Sequence, residues 1–470
     1  MPLLPNSIPR ATNLQQLYDE PLSFLANSRA KLGDILVLRE GGPIFSRAAD
    51  CAGSVAVFGA ANHRALLSDI DVFGLPVSAA EHLSLPANLV NLNRGLHSMR
   101  DDQHARHQRL LSALLSERGI EEQHDAVTCG LQTFLEGWRF GQTIPLLAAM
   151  RQLALQVSTP LLFGSRYEQR SELASLLQSY FHLRRDETSL LSSINEMARA
   201  ELLAIGDSSD GALRRYIRWC RAQPAIPADG LLAKLASLEL DYGNKRSEDE
   251  LVAHGNVLFM SSNEPIAVSL TWILLILSQL PDLRSELRAE VERVYLANDG
   301  PQLSPTLLHK IINEGLRMLT PNALMVRVTT RPASLGSIEL PERCELILCP
   351  FLEHRNAETF PQPSQFLPQR WNGLRPSPFE YFPFGAGGHA CVGQRLAMHL
   401  LKSALSLLIQ RYDLVLARDQ RVDWRIHIML MPRNEFMMKV CDPRKPPVKA
   451  GKLFGPVADL VKFDALNTKS

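Results

Sequence analysis

The stretch Tyr381–Ala397, YFPFGAGGHACVGQRLA, sets a single cysteine among glycines just before an apolar helical pattern. Glycines at 385, 387 and 388 allow positive φ and let the backbone come close to a flat ligand. The pattern predicts a helix beginning near Val392, which puts Cys391 at its start. Free backbone N–H groups and the helix dipole favour a thiolate there. Two readings of that thiolate stay open on local grounds. It is an axial ligand for haem iron, or a small buried cysteine beside a glycine-rich turn.

The surrounding chain narrows the setting. Its 470 residues, 46% apolar and 21% charged, have globular composition. A net charge of +1 offers no bulk attraction to nucleic acid or an anionic membrane. Seven scattered cysteines without paired metal spacing suit a reducing compartment better than a disulfide framework. The start, MPLLPNSIPRATNLQQ, lacks a basic region followed by an apolar core, so no signal peptide is expected. The apolar run Ile266–Leu280 carries Ser and Thr and is short for a membrane span. It is expected to be a buried helix in a soluble, cytoplasmic, monomeric protein.

Helical spacing dominates. DILVL and VAVFGA near the start read as strands, then HARHQRLLSALL, IPLLAAMRQLALQV and ELASLLQSYFHLRR carry apolar residues three and four apart. A long helix is predicted over about 248–280, stopping before Pro281, and another over SPTLLHKIINEGLRML with Ser304 as its cap. Sheet returns over 324–352, proline-rich meander follows, and RLAMHLLKSALSLLIQRYDLVL is a core helix. The class is mainly α with minor β. Residues 1–440 form one domain, and 441–470 are a basic extension of unassigned structure.

Phe384-Gly385-x-Gly387-x-His389-x-Cys391-x-Gly393 resembles the haem-binding signature of the cytochromes P-450, in its soluble bacterial form. Glu314 and Arg317 share a helix face and resemble the family's buried Glu–Arg pair. FLPQRW resembles the segment that adds a third member, Arg370, and HRN at His354–Asn356 stands where the family has such a triplet. The likeness runs from about residue 18 to 440. It implies the cytochrome P-450 fold, with haem b (iron protoporphyrin IX) held between the long central helix and the helix after the cysteine loop. Cys391 is then the metal ligand, and Glu314, Arg317 and Arg370 brace its loop. Arg327, His389 and His104 are implied as propionate contacts. The family usually has arginine where this chain has Gln108; either Arg109 or His107 substitutes, or one contact is weaker.

One stretch departs from the pattern. The family's small residue, Gly, any residue, acid and Thr align with Ser261-Ser262-Asn263-Glu264-Pro265. In the family the threonine hydroxyl and the acid help deliver protons during oxygen activation. Proline inside a helix lacks an N–H and costs about 3 kcal/mol, and it frees the Ser261 carbonyl for water or ligand. On one reading Pro265 only fixes a kink and Ser262 delivers protons. On the other, the standard oxygen cycle does not run unaided. Family members that use peroxide also carry this proline, preceded by an arginine that binds a fatty-acid carboxylate. Glu264 reverses that charge and is expected to repel such an acid and to pair with an amine.

The resemblance therefore implies a monooxygenase-type oxidoreductase acting on a specialised small molecule in secondary metabolism, amine-bearing on the reading that pairs it with Glu264. Substrate-assisted oxygen activation is the preferred expectation. The alternative is a peroxide-using enzyme, or an electron-independent rearrangement of a pre-oxidised substrate. An oxygen-dependent enzyme needs a ferredoxin or flavodoxin, docking near Cys391 beside Arg395 and Lys402. Pocket walls are implied at 85–100, 175–190, 258–266 and 322–326, including Phe181, Leu258 and Leu324.

Overall fold

The computed structural model of the 470-residue chain describes residues 4–46, 50–76, 85–96, 99, 101–190, 196–223, 229–238, 246–297, 306–426, 429–446 and 448–463. Its axis is a 31-residue central helix, Glu248–Ser278. A capping box opens it: Ser247 Oγ accepts from Glu250 N–H (3.1 Å) and Glu250 accepts from Ser247 N–H (3.2 Å). Glu248, Asp249 and Glu250 add acidic charge at the positive end of the dipole. From Ile266 to Ser278 every residue is buried, so the helix is apolar all round because neighbours cover it all round.

Those neighbours position the site. The Leu146–Phe163 helix lies along the central helix. The Leu307–Met318 helix and the cysteine helix, Gln394–Arg411, also pack against it. So do Arg170–Leu190 and Glu196–Ala222. The first and the central helix are both long and apolar enough to cross a membrane, and most of each is buried in the fold.

A five-stranded sheet flanks the helices. Its strands are β1 (Ile35–Glu40), β2 (Gly53–Val57), β3 (Phe73–Gly74), β4 (Met325–Thr329) and β5 (Cys344–Leu348). They lie in the order β1-β2-β5-β4-β3, with only β2 and β5 parallel. Arg327 pairs with Leu346 in this register, which points the arginine out of a buried strand at a fixed height.

Two boundaries differ from expectation. The Leu307–Met318 helix is capped by Thr306, whose hydroxyl accepts from His309 N–H (3.2 Å); Ser304 lies outside the described residues. The cysteine helix starts at Gln394, because Cys391–Gly393 is still a turn with Gln394 N–H reaching back to Cys391 O. The central helix continues through Pro265 without a break. In that turn the Ser262 hydroxyl and the Asn263 amide both donate to Phe259 O, at 3.1 and 2.6 Å.

The C-terminal segment is part of the fold as far as it is described. Leu453–Phe454 adds a parallel strand to Gln420–Arg421, Val457 and Val461 are buried, and Lys462 N–H donates to Ser364 O (2.8 Å).

Candidate functional site

The cysteine loop is shaped by its own backbone. Gly385 N–H donates to Phe382 O (2.9 Å) and Cys391 N–H to Phe384 O (2.8 Å). Gly385 and Gly387 take φ of 72° and 67°, the left-handed region where glycine has no penalty. At Gly387 a second constraint applies: a Cβ would stand 1.7 Å from Leu67 O, in the helix Ala60–Ser68. Gly388 likewise leaves room for Ile70.

The other side of the loop is open. A Cβ on Gly393 would meet only Cys391 Sγ, at 3.8 Å. Cys391 is a free thiol with an accessible side chain, although protein surrounds it. Burial raises the thiol from its ordinary value, and the Gly393 N–H opposes that shift. Among the described residues no three His, Cys, Asp or Glu side chains gather to hold a metal. One cysteine sulfur facing open space suits a metal whose remaining ligands come from a macrocycle.

Cationic and polar groups stand ready beside it. Arg327 is 2% exposed, and its Nε has no partner among the described residues. Its Nη1 donates only to Val326 O (2.9 Å). Burial pushes it down to about 10, so it stays charged at neutral pH. An unpaired buried guanidinium is costly and fits an anionic substituent on a bound cofactor. His104, also buried, shares a 3.0 Å hydrogen bond with His389 of the loop, and its Nδ1 is left without a partner. Burial lowers His104 and keeps it neutral. These residues fit a haem and its propionates.

Gln108 has a task that the sequence reading did not assign. Its amide donates to Gly388 O at 2.7 Å, tying the Asp101–Leu114 helix to the cysteine loop. Neither suggested substitute turns the same way. Arg109 is exposed and donates to Ala105 O of its own helix, while His107 meets His254 Nε2 at 2.8 Å.

Behind the loop, Glu314 and Arg317 are fully buried and joined by two 2.9 Å hydrogen bonds. Glu314 also accepts from Arg370 Nε (3.0 Å), Trp371 Nε1 (3.0 Å) and Leu367 N–H (2.9 Å). Arg317 donates to His354 O (2.8 Å), and the His354 ring accepts Phe382 N–H (3.0 Å). Tyr381 closes the circuit by donating to Asn313 O (2.9 Å). The ion pair is thus connected to the first residues of the cysteine loop through His354. Neither His354 nor Trp371 was assigned such a link from the sequence.

On the central helix the structure corrects an expectation. Glu264 does not stand free for a cationic substrate. Arg151, from the Leu146–Phe163 helix, donates Nε to Oε1 and Oε2 at 3.1 and 3.0 Å and Nη2 to Oε1. Its charge is met within the protein, so an amine would have to displace a guanidinium. The signal for this was one arginine inside the apolar run IPLLAAMRQLALQV. Asn263 is held too, accepting from Ser158 Oγ at 2.7 Å. Ser261 has an exposed side chain, one turn from Pro265 on the same face, and Pro265 has no N–H to give its carbonyl.

Comparison with known proteins gives the family and the fold. The family model described as Cytochrome P-450 matches residues 87–440. Cytochrome P-450 137 of Mycobacterium tuberculosis is 23% identical over 88% of this chain and 86% of its own. Cyclooctatin synthase of Streptomyces melanosporofaciens is 30% identical over 39% of this chain and 41% of its own. The crystal structure of the cytochrome P-450DA heme domain superposes with a TM-score of 0.77 at 20% identity, covering 94% of this chain and 99% of that one.

Proposed function

Because the chain belongs to the cytochrome P-450 family, we propose that it oxidises a specialised small molecule whose own polar group completes proton delivery. The coarser statement is plain: it is a haem-thiolate oxidoreductase of monooxygenase type. In the proposal the cofactor is haem b bound through Cys391, the donor is a ferredoxin or flavodoxin, and the protein is cytoplasmic. The haem supplies reductive activation of dioxygen, one atom going to the substrate and the other to water.

The observation that carries the proposal is the state of the Ser261–Pro265 turn. Pro265 brings no hydroxyl. Ser262 gives its proton to Phe259 O, and Glu264 is gripped by Arg151. This weighs against Ser262 as the replacement proton donor. Ser261 remains, with an accessible hydroxyl and a carbonyl that Pro265 cannot satisfy. It is placed to hold a water or a substrate hydroxyl, which then brings the missing proton donor.

Paired substrates test the proposal. An alcohol- or acid-bearing compound should be oxidised with little hydrogen peroxide leakage, and its methyl ether should uncouple. Pro265→Thr should restore coupling with the ether. Equal coupling of both compounds by the unaltered enzyme rejects substrate assistance. Product formed with peroxide alone, or with no electron source, supports the alternative classes. Cys391→Ser should lose the thiolate spectrum and oxidative turnover; retained activity would overturn the assignment of Cys391.

A further inference from the structure

A second arginine lies in the wall expected to contact substrate, and among the described residues it has no ionic partner. Arg184 is on the Arg170–Leu190 helix, one turn after Tyr180 and on the same face. Among the described residues no carboxylate pairs with it. Its Nη1 donates to Asn93 Oδ1, a neutral amide. Asn93 is oriented for this, because its Nδ2 is used by Leu89 O (2.7 Å) and Tyr180 OH (2.6 Å). Tyr180 is fully buried and Asn93 is 8% exposed. Arg184 is half-buried, and burial holds it below the ordinary arginine value.

The segment that carries Asn93 lies against the central helix just before its unusual turn. Asn256 Nδ2 donates to Leu92 O at 2.8 Å. Gly95, with φ 125°, comes so close that a Cβ would stand 2.8 Å from Val257 Cγ2. Val257 is four residues before Ser261, about 6 Å along the helix axis. The 89–95 segment is therefore pinned one turn from Ser261, and Arg184 is pinned to that segment through Asn93.

A guanidinium has five donors in a rigid fork that matches carboxylate and phosphate. One bond to an amide leaves most of them for a ligand. Arg151 and Arg317 each meet a protein carboxylate, Glu264 and Glu314, whereas Arg184 meets a neutral amide.

We propose that Arg184 anchors an anionic group, a carboxylate or phosphate ester at the end of the substrate away from the reacting carbon. Asn93 and Tyr180 set its orientation. The inference rests on the functional reading above, in which the space beside Ser261 receives the substrate. It reverses the charge expected of the ligand: the acid on the central helix is neutralised internally, and the unneutralised charge is positive.

The test is a matched series on the haem-loaded protein, read by Soret shift and by calorimetry: decanoate, decyl phosphate, decanol and decylamine. An anion should bind about tenfold or more tightly than decanol, the scale of a charged hydrogen bond, and decylamine should not. Arg184→Gln should bring anion and alcohol to parity with decanol affinity unchanged, and Arg184→Lys should keep part of the preference. Decanoate above decyl phosphate identifies a carboxylic acid, and the reverse order a phosphate ester. No anion preference in the unaltered protein, or one that survives Arg184→Gln, overturns the proposal. If Arg184→Gln does not fold, an Arg184→Lys protein with unchanged anion affinity and unchanged selectivity over decanol overturns it as well. A normal thiolate spectrum without anion preference sinks this inference alone, whereas loss of the thiolate spectrum sinks the functional reading beneath it.

Discussion

Arg151 and Glu264 lock two helices together where the family places oxygen chemistry: Arg151 Nε reaches both carboxylate oxygens, at 3.1 and 3.0 Å. The acid is 3% exposed. A buried charge is tolerated only when paired and hydrogen-bonded, so the pair is a condition for keeping this acid at all. It also decides what the acid can do, since a carboxylate closed by a guanidinium is a poor anchor for a second cation.

Removing either partner strands the other. Glu264→Gln and Arg151→Gln should each lower stability by roughly 3 kcal/mol, the scale for breaking a buried pair. The double variant should lose far less than the sum. Denaturant unfolding of the four proteins measures this, and additive losses would show that the pair does not couple.

The two ends of the cysteine loop should respond differently to a methyl group. Gly387→Ala meets Leu67 O at 1.7 Å from a positive φ and should cost about 2 kcal/mol or more. Gly393→Ala meets only Cys391 Sγ at 3.8 Å and should leave the haem-free protein within about 0.5 kcal/mol of the parent. Haem retention should nevertheless fall. Thermal unfolding with and without haem separates the cases; equal damage in the haem-free proteins contradicts the open cradle.

Arg327 carries an opposite pair of expectations. Its guanidinium is buried without an anionic partner among the described residues, so Arg327→Met should stabilise the haem-free protein by about 1 kcal/mol. The same change should speed haem loss to apomyoglobin. A destabilised haem-free variant would mean that Arg327 has a structural role of its own.

Acid should weaken the fold early. His254 is held down to about 3 by burial, with His107 beside it as a further cause. The unfolded chain takes up that proton near pH 6.5, whereas the folded chain resists until about pH 3. Stability from this group is therefore complete above pH 6.5 and is lost as pH falls from there toward 3. Melting temperature should decline through that window, and His254→Gln should make the decline shallower. An unchanged slope would assign the effect to other buried histidines, such as His354.

Much of the site was legible because it is local. The glycine spacing around Cys391 sits within ten residues, and the Glu314–Arg317 pair follows from three-residue helical spacing. Element types came through for the same reason, and the boundary shifts at Ser304 and Val392 were short slips, decided by the Thr306 cap and by the Cys391–Gly393 turn. Arg151, Gln108 and Arg184 were different. Each is an ordinary polar residue on a helix, and its role depends on a partner 113, 280 or 91 residues away.

The sequence by itself determined the chemistry on offer: one thiolate in a glycine loop, a mainly helical fold, and a proline where the family keeps a hydroxyl. Hydrophobic spacing and backbone preferences act over a few residues, so they are written along the chain. Only the tertiary structure decided which charges cancel. Burial makes an unpaired charge costly, but the identity of the neutralising partner depends on how helices far apart in sequence pack. That packing gave Glu264 an arginine and left Arg184 with an amide.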